Sequence, residues 1–257
     1  MAAMRSLLVR ESAPRPPALE VAISHALVER VSAGAVGPVL RIYRPAPTLA
    51  FGRLDRLRPG FAAAAAAARE HGFEPVVRAP GGHAVAYHDG CLVVDEVVPE
   101  RDPIAGMQER FARSGERLAA ALRTVGIDAR VGRIAGEFCP GDFTVSAGGR
   151  VKLVGTAQRV IRHGSLLAAS IAVTDGDALR AVLTDVYEAL ELDWDSATAG
   201  AIEDEAPVAV DAVEDAVVRA YEWDLAPASL DSETLALAAR LEVQHLVPEV
   251  APANGGH

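Results

Sequence analysis

The chain has 257 residues, half of them apolar, and its formal net charge is −10. That charge opposes phosphate and argues against a nucleic-acid-binding protein, and two cysteines, Cys91 and Cys139, are too few for a disulfide framework or a zinc cluster. We find no signal-peptide pattern and no run of the roughly 18 apolar residues that a membrane span needs, so we expect a cytoplasmic protein with free thiols and no membrane partner.

The charges are unevenly distributed along the sequence. Residues 1–60 carry nine arginines against four acidic residues, whereas residues 175–257 carry three arginines against 19 acidic residues. A basic segment can steer an acidic protein partner, so Arg53 and Arg56 are candidates for a docking surface. The alternative is that these arginines only keep a surface solvated.

The spacing of apolar residues predicts a mixture of helices and strands up to about residue 175. Leu19, Ile23, Leu27 and Val31 recur every four residues, which indicates an amphipathic helix over Pro17–Ser32. Two further helices are predicted at Gly60–His71 and Ile104–Val125. Runs rich in β-branched residues predict strands at Val39–Tyr43, Thr48–Phe51, Pro75–Arg78, His83–His88 and Gly90–Val98.

The second half of the sequence changes from sheet to helix. Strands are predicted at Phe143–Ser146, Arg150–Val154, Thr156–Arg162 and Ser165–Val173, the first two joined around Gly-Gly as a hairpin. Acidic helices are predicted at Leu179–Leu192, Val210–Trp223 and Glu233–Leu246, followed by a frayed tail at Ala251–His257. We therefore predict an α+β fold with a domain at 15–175 and an acidic helical segment at 176–250.

One lysine stands out, because the 25 basic residues are 24 arginines and Lys152. An ammonium on a flexible stem can enter a narrow site and donate to a carbonyl oxygen as charge develops there, which a wide guanidinium does less well. Cys139 lies in the loop sequence Phe-Cys-Pro-Gly-Asp ahead of this lysine. A free cysteine is usually buried and inert, but a thiolate beside a cation is a nucleophile, so both readings stay open.

Histidines are the other candidates for chemistry. His163 follows the predicted strand beyond Lys152 and could act as a base, although a lone histidine is more often structural. His83 and His88 differ in parity along a strand and would face opposite sides of it. We therefore predict no metal site.

Three sequence blocks resemble the lipoate–protein ligase and octanoyltransferase superfamily, whose catalytic domain is shared with biotin protein ligases. They are Arg41-IYRPAPTLAFGR, Val77-RAPGGHAV and GRVKLVGTAQR followed by HGSLL, and they occur in the family's order. The resemblance covers roughly residues 15–175. It implies a class II aminoacyl-tRNA-synthetase-like α+β catalytic domain, with a mainly antiparallel sheet, flanking helices and an acyl tunnel.

The resemblance also implies roles for individual residues. Arg78, Gly81 and Gly82 match the segment that lines the acyl site, followed here by His83. Lys152 matches the family's essential lysine, which contacts the acyl carbonyl. The strand after that lysine is matched by Gly155, Thr156, Ala157 and Gln158, with His163 beyond it.

Departures from the family pattern bear on the mechanism. Ligases show two arginines, a third glycine and a His-Asp pair where this chain has Val77-Arg78, His83 and Tyr87-His88. Cys139-Pro-Gly-Asp-Phe lies 13 residues before Lys152 and resembles the nucleophile loop of cysteine octanoyltransferases, above all the branch that moves octanoyl from the glycine-cleavage H protein to E2 subunits.

The first hypothesis is thus an acyltransferase that uses a Cys139 thioester and needs no cofactor. Its donor would be H protein or acyl carrier protein, and its acceptors would be the lipoyl domains of 2-oxoacid dehydrogenase E2 subunits. The second is a lipoate–protein ligase that uses ATP and Mg²⁺ to make lipoyl-AMP. The third is a homologue that binds a lipoyl domain or an acyl group without catalysis.

Overall fold

The computed structural model describes residues 5–248, so the predicted tail Ala251–His257 lies outside the described residues, as do residues 249–250 of the predicted C-terminal segment. No helix in the described range is long and apolar enough to cross a membrane.

The strands are β1 (Ser6–Glu11), β2 (Val39–Tyr43), β3 (Thr48–Phe51), β4 (Glu74–Val77), β5 (Val85–Tyr87), β6 (Cys91–Pro99), β7 (Ala129–Val131), β8 (Val145–Ala147), β9 (Val151–Ile161), β10 (Gly164–Ala172) and β11 (Leu225–Ala228). The helices are α1 (Pro17–Ser32), α2 (Phe61–Glu70), α3 (Met107–Thr124), α4 (Gly176–Ala189), α5 (Val210–Ala220) and α6 (Ser232–Leu241).

Two sheets form the framework. Eight strands make the large sheet in the order β11-β1-β2-β6-β10-β9-β8-β7, and β4-β3-β5 make the small one. The large sheet is antiparallel from β2 to β7, while β11, β1 and β2 run parallel. The predicted α+β fold with a mainly antiparallel sheet is confirmed.

Three apolar clusters hold the helices to the sheets. One joins α2 and α4 to the small sheet, a second joins α3 and α5 to the large sheet, and a third lies under α1 and α6. Leu118 and Leu122 of α3 are fully buried, and truncating such a side chain to alanine costs about 2–5 kcal/mol. Each cluster includes a helix from beyond residue 175. The predicted division at residue 175 stays a prediction.

Most predicted elements are confirmed, and α1, β2 and β3 have the predicted bounds. The predicted amphipathic character of α1 is wrong, because the helix is buried on most of its surface. Two predicted strands, Arg150–Val154 and Thr156–Arg162, form the single strand β9, which passes through Gly155 without a break. A side chain at residue 155 would crowd the Lys152 stem, since a Cβ there would lie 3.2 Å from Lys152 Cε. Strands β1, β7 and β11 were not predicted.

Candidate active site

A largely apolar cavity opens between the large sheet and the small sheet. Its walls include Val21 of α1, Val85 of β5, Val93 of β6 and Leu166 of β10. Buried polar side chains line it as well, among them Asp95, whose pKa burial raises to about 6. An apolar cleft with few polar groups suits a molecule with a long apolar part.

Cys139 lies where this cavity meets the surface. Its side chain borders both the cavity and a more open surface depression, which share Thr156 and Gly141 as well. The residue belongs to the loop between β7 and β8, and its φ of 41° is in the left-handed region that a residue with a side chain rarely adopts. Such backbone strain persists only where the surroundings impose it.

Tyr187 of α4 imposes part of that conformation. Its hydroxyl accepts a hydrogen bond from the Cys139 backbone N–H at 2.8 Å and donates one to the Ala84 carbonyl at 3.0 Å. Burial raises the pKa of Tyr187 well above its usual value, so the hydroxyl stays protonated and able to donate. Trp194 packs against both Tyr187 and Phe138, which precedes the cysteine. The C-terminal segment therefore holds the cysteine loop.

Two donors approach the Cys139 sulfur. The backbone N–H of His83 donates to Sγ at 3.2 Å, and the Arg78 guanidinium Nη2 lies 3.7 Å from it. Gly82 makes this approach possible, since a Cβ at that position would lie 2.6 Å from Arg78 Nη2 and 2.8 Å from Sγ. A cation and an N–H group beside a sulfur are the surroundings in which it can carry negative charge.

Lys152 holds the loop by its three hydrogens. Its buried Nζ donates to Glu137 Oε2 at 2.8 Å and to the carbonyls of Phe138 and Cys139, both at 2.9 Å. Those three partners use its full donor capacity. A carbonyl oxygen bound in the cavity would have to replace one of the loop carbonyls, so the predicted oxyanion role stays a prediction.

Glu137 accepts hydrogen bonds from several parts of the same loop. One of its oxygens accepts the Ile134 N–H at 3.0 Å, and the other accepts the Thr144 hydroxyl at 2.6 Å in addition to Lys152. The carboxylate is buried, and burying a charge is costly unless it is paired and hydrogen-bonded, as it is here. Glu137 and Lys152 thus stabilise each other and the loop between them.

The remaining predicted site residues fall into two groups. Gly155 and Thr156 line the cavity, while Gly81 and Ala157 line the surface depression. His163 is a correction: it lies in the exposed turn after β9, whereas Lys152 lies at the start of that strand. At about 3.3 Å per residue the strand runs roughly 30 Å from Lys152 to Ile161, and His163 lies beyond that end, so it does not reach the sulfur. Among the described residues no group of three or more histidine, cysteine or acidic side chains could hold a metal ion.

Sequence reasoning missed three residues of this site: Asp55, Glu137 and Tyr187. Glu137 had a local signal, because an acid two residues from the cysteine could pair with the chain's single lysine. Asp55 and Tyr187 had none, since each reaches the site only through the packing of distant segments. Asp55 Oδ1 lies 2.8 Å from His83 Nδ1.

Comparisons with known proteins show the family to which the chain belongs. The family described as Lipoyl protein ligase A/B catalytic domain matches residues 16–222. An octanoyl-[GcvH]:protein N-octanoyltransferase from Geobacillus kaustophilus is 32% identical over 162 residues, which cover 63% of this chain and 57% of that protein. The chain therefore spans little more than half the length of this curated relative.

Solved structures show the same fold. A T. acidophilum protein with bound lipoic acid superposes with a TM-score of 0.74 at 22% identity, over 94% of this chain and 95% of the other. A bipartite lipoate protein ligase from Thermoplasma acidophilum, studied together with its E2 lipoyl domain, gives 0.69 at 22% identity, over 95% and 93%. At such identity the likeness speaks for the fold alone.

Proposed function

Since this chain belongs to the lipoyl protein ligase A/B catalytic-domain family, we propose that it is a cysteine acyltransferase of protein lipoylation. It would move an octanoyl or lipoyl group to a lysine of a lipoyl domain through a thioester on Cys139. The observation that carries this proposal is the sulfur at the mouth of an apolar cavity, with the His83 N–H and the Arg78 guanidinium directed at it. The name of the G. kaustophilus relative supports octanoyl as the group and H protein as the donor.

In the first step the Cys139 thiolate attacks the carbonyl carbon of the donor thioester. A new carbon–sulfur bond forms, and the donor sulfur leaves with the electron pair of the bond that breaks. Arg78 and His83 hold the cysteine sulfur while it is charged, and the apolar cavity receives the acyl chain. Lys152 is positioned to donate to the carbonyl oxygen once a loop carbonyl yields its place.

In the second step the amine of the acceptor lysine attacks the acyl-enzyme and forms an amide. The thioester is already activated, so the proposed transfer uses neither ATP nor Mg²⁺, which the ligase route would need to make an adenylate. The proposed donors are H protein or acyl carrier protein, and the proposed acceptors are E2 lipoyl domains, the kind of domain studied with the T. acidophilum ligase. We place the reaction in the cytoplasm.

The test is intact-protein mass spectrometry after mixing the protein with octanoyl-loaded H protein without ATP. We expect one octanoyl adduct that maps to Cys139, is released by hydroxylamine and is absent from Cys139→Ser. Cys91→Ala is the matched control, because burial raises the pKa of Cys91 to about 12 and leaves it an unreactive thiol.

Two results would overturn the proposal. If acceptor acylation needs ATP, Mg²⁺ and free lipoate and survives Cys139→Ser, the protein is a ligase. If neither assay gives a product amide while the acyl ligand still binds, it is a non-catalytic homologue.

A further inference from the structure

We propose that His83 and Asp55 form a base that takes a proton from the acceptor lysine in the second step of the transfer. This inference rests on the proposed function, because it concerns the cleavage of the Cys139 acyl-enzyme. The sequence offered His163 for such a role, and the structure places that residue far from the sulfur.

The hydrogen bonds around Asp55 orient the His83 ring. Asp55 is fully buried; one carboxylate oxygen accepts the Gly52 N–H at 2.9 Å, and the other lies 2.8 Å from His83 Nδ1. An ionised carboxylate only accepts hydrogen bonds, so the ring proton belongs on Nδ1 and the lone pair on Nε2. This is the way in which a buried carboxylate orients a histidine base.

His83 is also close to the sulfur through its backbone. Its own backbone N–H donates to Cys139 Sγ, so the ring is attached to the residue that contacts the sulfur. Its side chain is 35% exposed, whereas that of Asp55 is 0% exposed, so the ring borders solvent while its partner does not. We infer that an acceptor lysine at the thioester can approach this ring.

Several other charged groups near the sulfur are engaged with other partners. The Arg78 guanidinium has only donors, and Lys152 donates all three hydrogens to Glu137 and the loop carbonyls. Glu137 is buried behind that lysine. His25 and His245 are buried against each other, 3.1 Å apart, so neither is open to an incoming amine.

Aminolysis needs a base because the acceptor arrives as an ammonium. With an ordinary lysine pKa near 10.4, roughly one side chain in 2,500 is neutral at pH 7. His83 Nε2 takes one proton, and the nitrogen lone pair then forms the carbon–nitrogen bond. As the carbon–sulfur bond breaks, its electron pair stays on the Cys139 sulfur. The nitrogen then still carries one proton more than the amide keeps, and the sulfur takes that proton. The products are amide, thiol and an imidazolium that returns its proton to water.

The experiment separates this step from acyl loading by using two nucleophiles. Enzyme carrying an octanoyl thioester on Cys139 is isolated, and its cleavage is followed in single turnover by a lipoyl domain and, separately, by hydroxylamine. Hydroxylamine is already neutral at pH 7 and needs no base. In His83→Ala we expect loading as in the wild type, hydroxylamine cleavage within about twofold, and lysine aminolysis reduced by about 100-fold or more.

His163→Ala is the matched control, an exposed histidine outside the cavity that should change neither reaction. Asp55→Asn should load normally and lose aminolysis to an intermediate degree, because the ring is no longer held in one tautomer. If His83→Ala slowed cleavage equally with both nucleophiles, or with neither, a base role for His83 would be overturned. Normal aminolysis in Asp55→Asn would show that Asp55 takes no part in that role. A wild-type protein that forms no acyl-enzyme would overturn the proposed function itself.

Discussion

Gly82 offers a sharp test of how the sulfur is surrounded, because its neighbour in sequence is a matched control. A Cβ at residue 82 would lie 2.6 Å from Arg78 Nη2 and 2.8 Å from Cys139 Sγ, both closer than real contacts allow. A Cβ at Gly81 would meet no atom within 4 Å. We therefore expect Gly82→Ala to disrupt acylation and Gly81→Ala to leave it nearly unchanged.

The expected size follows from the two parts of the perturbation. Gly82 has a φ of 95°, and a residue with a side chain in the left-handed region costs about 1–2 kcal/mol of folding free energy. The crowded atoms are the ends of flexible side chains, so they move apart instead of unfolding the protein. A displacement of about 1 Å at reacting atoms can cost about 100-fold in rate, which is far more than the stability change alone would produce.

Two measurements check this reasoning. Urea unfolding reports stability, and single-turnover octanoylation of Cys139 reports the rate. We expect Gly82→Ala to lose about 1–2 kcal/mol and about 100-fold in rate, with Gly81→Ala close to the wild type in both. Equal rates for the two variants would refute the view that Arg78 and the sulfur must approach each other across Gly82.

Further predictions concern the loop, the surface and pH. Tyr187→Phe removes the hydroxyl that accepts the Cys139 N–H, so we expect the free energy of unfolding to fall by about 1–1.5 kcal/mol. We also expect iodoacetamide to alkylate Cys139 about fivefold to tenfold more slowly. An unchanged alkylation rate would contradict the positioning role of Tyr187. Charge reversal at the exposed Arg53 and Arg56 should raise the KM for the acceptor domain and weaken its salt dependence, and no change in either would exclude docking there. Burial lowers the pKa of His25 to about 4 from its usual value of 6.5, so the folded state resists protonation and the free energy of unfolding should fall by up to about 3 kcal/mol between pH 6.5 and 4. His25→Gln should remove that part of the decline in urea unfolding, and an identical pH profile would contradict it.

Local sequence patterns predicted the elements whose periodicity is complete within one segment. Helix α1 and strand β2 have the predicted bounds because their apolar spacing alone distinguishes helix from strand. Strand β11 was missed, since it has four residues and contains Pro227, which is uncommon within strands. It exists because it pairs with β1 near the other end of the described chain, and no local pattern carries that information.

The residues of the site were also predictable only where a local sequence pattern marked them. The rarity of lysine and the spacing in one loop pointed to Lys152 and Cys139, which the structure brings together through the Lys152 hydrogen bond to the Cys139 carbonyl. The sequence did not reveal that Arg78, rather than Lys152, is the cation at the sulfur. That outcome depends on Glu137, which draws the ammonium toward the loop, and on Gly82, which lets the guanidinium approach.

The buried lysine has a consequence for the acyl thioester proposed on Cys139. Such a group is lost whenever a neutral amine comes within reach, and surface lysines are the usual source of amines on a protein. Here the single lysine of the chain donates all its hydrogens to Glu137 and two carbonyls, and the arginines remain protonated and do not attack. The protein therefore carries no lysine side chain free to discharge the proposed acyl-enzyme.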